Sequence, residues 1–206
     1  VTLNQFYGIE LDDFAHEVAI LSLWLAEHQM NQVFFTEFGR TKPALPLTSA
    51  GNIVHGNACR LDWELVCPKT KHEDIFIMGN PPFLGSRNQK ESHKEDISYV
   101  FEGIKDYKVL DYIACWFYKG SVYIKNTNTE LSFVTTNSIC QGDQVASLWT
   151  NILGEHIDIK FAYKAFKWTN NALKNAAVIV NIIGLKSSSK ERKKWIFFEN
   201  HKIQHI

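Results

Sequence analysis

Asp74-Ile75-Phe76-Ile77-Met78, followed by Gly79-Asn80-Pro81-Pro82-Phe83, is the stretch on which the fold turns. The run from Asp74 to Met78 is almost continuously apolar, the pattern of a central strand in a parallel sheet. It ends abruptly: Asn and Pro are turn formers, and two successive prolines remove two backbone donors. In an open α/β sheet, ligands bind at the carboxyl ends of the strands, so chemistry is expected at this turn.

Outward from that strand the chain alternates strand and helix. Toward the N-terminus, Phe6-Tyr7-Gly8-Ile9-Glu10 reads as a short buried strand. Asp12 or Asp13 then caps a helix from Phe14 to about Met30. Its apolar residues, among them Phe14, Val18, Leu21 and Leu25, cover more than one stripe, which predicts a well-buried helix. A Pro-containing connection, Lys42 to Ser49, leads to a strand at Ile53-Val54-His55. Toward the C-terminus, the polar segment Leu84 to Glu95 reads as a mobile loop, with helices over Asp96–Lys105 and Leu110–Ile124. Strands follow at Leu131–Thr136, Ile157–Tyr163, Ala176–Ile183 and Trp195–Phe198, with a helix over Gln144–Leu153. The alternation implies a mostly parallel sheet with right-handed crossovers. The last strands follow one another without a helix, so an antiparallel hairpin is expected at that edge.

The bulk properties set limits. With 206 residues, 45% of them hydrophobic and 21% charged, the chain can build a sizeable core and is not a disordered tract. Formal net charge is zero, so a nucleic-acid surface has to be local or supplied by another segment. Cys59, Cys67, Cys115 and Cys140 show no C-x-x-C pairing and read as reduced, buried small hydrophobes of a cytoplasmic protein. The eight histidines form no H-E-x-x-H set. His201 and His205 read as a polar tail, and no metal is expected. Neither a membrane-length apolar run nor a signal peptide is visible. The chain opens on Val1, not Met, and reads as a piece of a longer protein.

Asn80–Phe83 has a physical rationale beyond a turn. The carbonyls before and between the prolines are fixed acceptors, the Asn80 side chain adds another, and Phe83 offers a flat apolar face. Acceptors aimed at an amino group beside a stacking ring suit a planar exocyclic amine such as adenine N6. Its lone pair is delocalised into the ring. Accepting hydrogen bonds from both N6 protons favours the form whose lone pair points at an incoming methyl.

Here the sequence resembles the S-adenosyl-L-methionine-dependent amino-methyltransferases, whose catalytic motif is Asn-Pro-Pro-aromatic after an apolar strand. The Asn version is typical of adenine-N6 enzymes, and the closest likeness is to single-chain type II restriction–modification proteins. The resemblance implies an α/β, Rossmann-like class I methyltransferase sheet acting on double-stranded DNA, with Asn80, Pro81, Pro82 and Phe83 catalytic. Gly8-Ile9-Glu10-Leu11-Asp12 resembles the motif whose acid, here Glu10, holds the cofactor ribose, with Leu11 beside it. His55-Gly56-Asn57-Ala58 resembles the motif that contacts the cofactor adenine. Many relatives carry Asp there, so Asp62 stands as a fallback for Asn57. Asp111-Tyr112 with Trp116 and Phe117 resembles the helix beside the cofactor, which makes Asp111 a cofactor-binding candidate alongside Asn80. Ser132–Asn137 resembles the fifth-strand motif. Ala165-Phe166-Lys167-Trp168 with Asn170-Asn171 resembles the motif supplying a second aromatic, Phe166 or Trp168, to a flipped base.

Blander readings stand beside these. Asn80–Phe83 alone is a strand-ending turn, Glu10 and Asp111 alone are acids near helix starts, and Phe166 and Trp168 alone are core. Lys190–Lys194 reads as a solvated turn more readily than as a DNA clamp. Other functions also remain open: a methyltransferase acting on RNA or on a protein glutamine, or a non-catalytic scaffold.

The family begins with a strand and a Gly-rich loop that precede the acid of the next strand by roughly 30 residues, and only nine residues precede Glu10. The missing first strand belongs between the strands ending at Glu10 and Met78, so the expectation is a split or rearranged sheet. Residues 1–206 then form a partial catalytic domain, with target-recognition and any nuclease domain outside it. Such a piece should neither bind the cofactor well nor methylate alone, which tight calorimetric binding would refute. The recognition sequence and the oligomeric state are not legible.

Overall fold

The computed structural model describes residues 1–39, 51–70, 73–168, 178–188, 193–198 and 202–205. Of the sequence expectations, the Lys42–Ser49 connection, Asn170-Asn171, the start of the Ala176 strand, Lys190–Arg192 and His201 lie outside these residues. The chain forms two compact units, Val1–Pro68 and Lys69–Ile206.

In the first unit, β1 (Tyr7–Glu10) pairs in parallel with β2 (Asn52–His55), from Tyr7 against Asn52 to Glu10 against His55. Between them runs α1 (Asp13–Phe38), capped by the Asp12 carboxylate, which accepts from Ala15 N at 2.9 Å. It ends on Gly39 at φ 64°, the left-handed conformation that lets the chain leave a helix without a Cβ clash. A single turn, α2 (Trp63–Val66), closes the unit.

The buried-helix expectation for α1 is corrected. None of its residues is fully buried, and Phe14, Val18, Leu21 and Leu25 are 41–78% exposed. Length explains this. Twenty-six residues span about 39 Å of helix, against about 13 Å for each four-residue strand. Ala15, His16, Ala19, Ile20, Leu23 and Trp24 form the half-buried stripe, and among the described residues of this unit no further layer covers the apolar residues on the other sides.

In the second unit six strands form one sheet in the order β3-β4-β6-β5-β7-β8. They are β3 (Phe76–Gly79), β4 (Glu130–Thr136), β5 (Ile157–Trp168), β6 (Val178–Ser187), β7 (Trp195–Phe197) and β8 (Ile203–His205). β3, β4, β5 and β7 share one direction, while β6 and β8 oppose it. The mostly parallel sheet with a late antiparallel hairpin is therefore present. An antiparallel pair, β7 with β8, does sit at the late edge, and one further antiparallel strand, β6, is inserted between β4 and β5. The helices α3 (Glu91–Val100) and α4 (Ala114–Ile124) precede β4, and a π-helix (Val145–Trp149) running into a turn (Thr150–Ile152) follows it. Phe101, Leu110, Ile113, Phe117, Leu131 and Leu148 form the centre of the core. The Phe117 ring stands edge-on to Phe133 and Trp149.

The strands thus fall into two sheets, as the split-sheet expectation required. Among the described residues nothing pairs with the second edge of β1 or of β3. β3, read from its apolar run as a central strand, is an edge strand here, and its Phe76 and Met78 are exposed. Hydropathy reported the environment a strand is built for, and this sheet supplies only one of its two neighbours.

Gly184 of β6 lies directly opposite Phe161 of β5, beside a register shift between Ile159 and Phe161. A Cβ on Gly184 would meet the Phe161 ring at 2.2 Å, so the aromatic covers a glycine that nothing larger can replace without moving the ring. Gly184→Ala should destabilise the domain by about 1–3 kcal/mol in chemical denaturation. The loss should shrink in a Phe161→Leu background, and an equal loss there would refute the contact as its cause.

Candidate functional site

The turn after β3 carries the catalytic candidates. Asn80 and Pro82 are exposed, Pro81 is buried and Phe83 is half-buried, so Pro81 seats the turn while the Asn80 amide stays accessible. The next residue, Leu84, is held at both backbone polar groups. Its N–H donates to Asp111 Oδ1 at 2.7 Å, and its carbonyl accepts from Gln89 Nε2 at 2.9 Å and from Tyr112 N at 3.0 Å.

Asp111 stands at the entry to α4 and is only 3% exposed. Its Oδ1 also accepts from Ile113 N at 3.3 Å, its Oδ2 accepts from Ser138 Oγ at 3.4 Å, and its own N–H donates to Gln144 Oε1 at 2.9 Å. Desolvation raises its pKa above the ordinary carboxylate value, and the hydrogen bonds from Leu84, Ile113 and Ser138 offset part of that rise. A raised folded-state value means that the acid's contribution to stability is fully present below the unfolded value near 3.8 and is lost as pH rises through the folded value. Asp111→Asn should therefore gain thermal stability relative to the unsubstituted protein as pH rises from 4 to 8. A difference in Tm that stays constant across that range would contradict the ionic cost.

The segment from Leu84 to Glu95, read as a mobile loop, is corrected. It holds a 3-10 turn (Ser86–Asn88) and the start of α3, and Gln89 within it is buried, donating to the carbonyls of both Leu84 and Leu110. Gln89 and Gln144 were missed by sequence reasoning, since neither has a motif or a pattern that separates it from a surface glutamine. Tyr112, in the segment that resembles the helix beside the cofactor, is buried, and its hydroxyl donates to Asp96 at 2.7 Å.

The aromatic candidates lie at the same end of the sheet. Gly79 pairs with Phe133 on β4. Three residues further along, Thr136 pairs with Val180 on β6, and Val180 pairs with Phe166 on β5. Phe166 and Trp168 therefore sit at the carboxyl end shared by β3, β4 and β5, three strand spacings, about 14 Å, from the line of β3. The two are spaced to share one face of β5, with ring centroids 6.3 Å apart, and both are half-buried. This motif, expected beyond the end of a shorter strand, is part of β5 itself, which accommodates it through a second register shift between Tyr163 and Phe166.

In the first unit, Glu10 closes β1. Its Oε1 accepts from Leu11 N at 2.9 Å and Asp12 N at 3.2 Å, which fixes the carboxylate. Among the described residues none donates to Oε2. Leu11 is exposed, and its carbonyl is engaged by His55 Nε2 at 3.0 Å. Gly56 N donates to the Glu10 carbonyl at 2.8 Å, bringing the loop after β2 against the end of β1. In that loop Asn57 Oδ1 accepts from Cys59 N at 2.8 Å, and the Ala58 carbonyl accepts from Trp63 Nε1 at 2.9 Å. Asp62, the fallback for Asn57, caps α2 by accepting from Glu64 N at 2.9 Å.

Of the cysteines, Cys59 and Cys115 are buried as expected, Cys67 is half-buried, and Cys140 is exposed, which corrects that expectation. The Cys140 Sγ nevertheless turns inward to Asn181 Nδ2 at 3.5 Å, and burial there pushes its thiol pKa up. No described helix is long and apolar enough to cross a membrane.

A family model described as "MmeI, DNA-methyltransferase domain" matches residues 1–198. The chain belongs to the MmeI DNA-methyltransferase domain family. It is similar to DNA methyltransferase A of Bacillus subtilis (strain 168), 49% identical over 203 residues, which is 98% of this chain and 23% of that protein. Among solved structures, the type IIL restriction–modification enzyme MmeI in complex with DNA superposes with a TM-score of 0.90 at 38% identity, over 100% of this chain and 28% of that one. The methyltransferase subunit of a type I restriction–modification system from Streptococcus thermophilus matches at 14% identity and a TM-score of 0.55. It covers 93% of this chain and 36% of that one, a likeness of fold alone. The MmeI-family domain here thus spans about a quarter of the length of the first two relatives.

Proposed function

We propose that this domain transfers a methyl group from S-adenosyl-L-methionine to N6 of an adenine rotated out of double-stranded DNA, as the modification part of a restriction–modification protein. One observation carries the reading: Asn80-Pro81-Pro82-Phe83 closes a strand at the carboxyl end of the sheet, with Pro81 seated in the structure and the Asn80 amide exposed. Family membership and the DNA complex of the related enzyme support it.

The chain's residues divide the work. Asn80 Oδ1 and a backbone carbonyl of the Asn80–Pro82 run accept the two N6 protons and so hold the amine with its lone pair directed outward. Phe83 stacks on one face of the base and Phe166 or Trp168 on the other, offsetting part of the unstacking cost. Glu10 fits a ribose diol, because its carboxylate is fixed by two backbone donors while Oε2 takes none from the described chain. Leu11, Asn57 and Ala58 complete the nucleoside side. When bound, the cofactor supplies an electrophilic methyl on a sulfonium. Orientation and exclusion of water by the protein then account for most of the rate.

The test is to incubate the full-length protein with tritiated cofactor and, in parallel, duplex DNA, RNA and protein, and then to digest the products. Label in N6-methyladenine from DNA is expected. Label confined to RNA or to protein glutamine would overturn the reading.

A further inference from the structure

The residue that follows the Asn80–Phe83 turn is gripped on both sides of its peptide unit by a buried polar cluster, and the grip has a plain geometric source. Leu84 N–H donates to Asp111 Oδ1 at 2.7 Å, and Leu84 O accepts from Tyr112 N and Gln89 Nε2 at 3.0 and 2.9 Å. The gripping groups are themselves tied down. Gln89 Nε2 also donates to Leu110 O, Gln144 Oε1 receives Asp111 N–H, and Ser138 Oγ donates to Asp111 Oδ2. Three segments meet here: the turn after β3, the entry to α4, and the residues after β4.

The chemistry of Asp111 indicates what it is for. A carboxylate this deeply buried is costly, and it makes no ion pair with a described residue. Both of its oxygens are taken by the chain's own donors, which leaves a ligand little to approach. Among those donors the closest is Leu84 N at 2.7 Å, with Ile113 N at 3.3 Å and Ser138 Oγ at 3.4 Å, so the acid is placed to hold the turn. We infer that Asp111, with Gln89, is a positioning residue: it fixes Leu84 and thereby sets the pose of Asn80 and Phe83 against the target amine. On this inference Asp111 takes that role in place of the cofactor-ligand role that the resemblance implies. The inference rests on the reading of Asn80–Phe83 as the base-holding turn.

The test uses the full-length protein in three versions: Asp111→Ala, Asp111→Asn and Gln89→Met. Alanine removes the acceptor, so kcat for DNA methylation should fall by roughly 100-fold while the cofactor Kd moves by less than about threefold. Asparagine retains an acceptor oxygen for Leu84 and Ile113 and can donate to Ser138, so it should recover kcat to within about tenfold of the unsubstituted protein. Gln89→Met, which leaves Asp111 intact, should lower kcat with the same unchanged cofactor Kd. A cofactor ligand would behave otherwise: alanine and asparagine would both weaken cofactor binding, and Gln89→Met would spare kcat. That result overturns the inference.

Amide exchange of the peptide containing Leu84 reads the grip without any turnover. Protection should be lost in Asp111→Ala and restored in Asp111→Asn. Should the unsubstituted protein methylate no DNA, the proposed function fails while the exchange result still decides whether Asp111 holds the turn. Unchanged exchange in all three variants would refute the positioning role outright.

Discussion

Asn80→Ala should cut methyl transfer to DNA by a factor of about 10²–10³, the usual consequence of removing one preorganised polar group aimed at a developing charge. Adenine N6 is a poor nucleophile until its protons are held out of the way of the lone pair, and in the proposed reaction the Asn80 amide oxygen is the side-chain acceptor for one of them. The backbone carbonyls of the proline run remain, so a residual rate should survive. Because Asn80 is exposed, its truncation should change stability by no more than about 0.5 kcal/mol. DNA affinity should hold, since phosphate contacts dominate it. Single-turnover measurement with labelled cofactor isolates the chemical step. An undiminished single-turnover rate in Asn80→Ala would remove this residue from the mechanism.

The place of the turn at a strand end was legible because its cause is local. Two prolines, an amide and an aromatic have fixed acceptor geometry wherever they fold, and an apolar run before them places them at a strand end. The Asp12 cap was legible for the same reason: it acts on a backbone atom three residues away.

What stayed hidden depends on partners distant in sequence. Asp111 acts on Leu84, 27 positions away, and on Ser138, 27 positions in the other direction, and no spacing rule announces either contact. Gln89 looked like part of a polar loop because composition cannot tell a solvated amide from one buried between two carbonyls. The exposure of α1 was misread for a related reason. An apolar surface in sequence says what a helix can bury, while burial depends on how much sheet is there to cover it. The length of β5 was underestimated because its two register shifts break the alternation by which strands are recognised.

Phe83→Ala should lower methylation of an intact duplex by roughly 5- to 150-fold, the equivalent of the 1–3 kcal/mol that one base–aromatic stack contributes. The loss should fall on extrusion of the base and not on cofactor binding, because a flipped adenine must recover the stacking it gives up in the helix. That assignment makes a sharper claim than a drop in rate. When the target adenine faces a mismatch, less stacking and pairing energy is lost on leaving the duplex, so the penalty for Phe83→Ala should shrink. Phe83→Tyr, which keeps the ring, should behave nearly as the unsubstituted protein does on both substrates. The same pair of substrates separates Phe166 from Trp168, which the sheet places together at the end of β5. Only the residue that stacks on the base should show a penalty that depends on the mismatch, while alanine at the other should cost stability alone. Fluorescence of 2-aminopurine at the target position reports the flipped state directly. If Phe83→Ala left both that signal and the mismatch dependence unchanged, Phe83 would be a packing residue of the turn, and the stacking face would have to come from elsewhere.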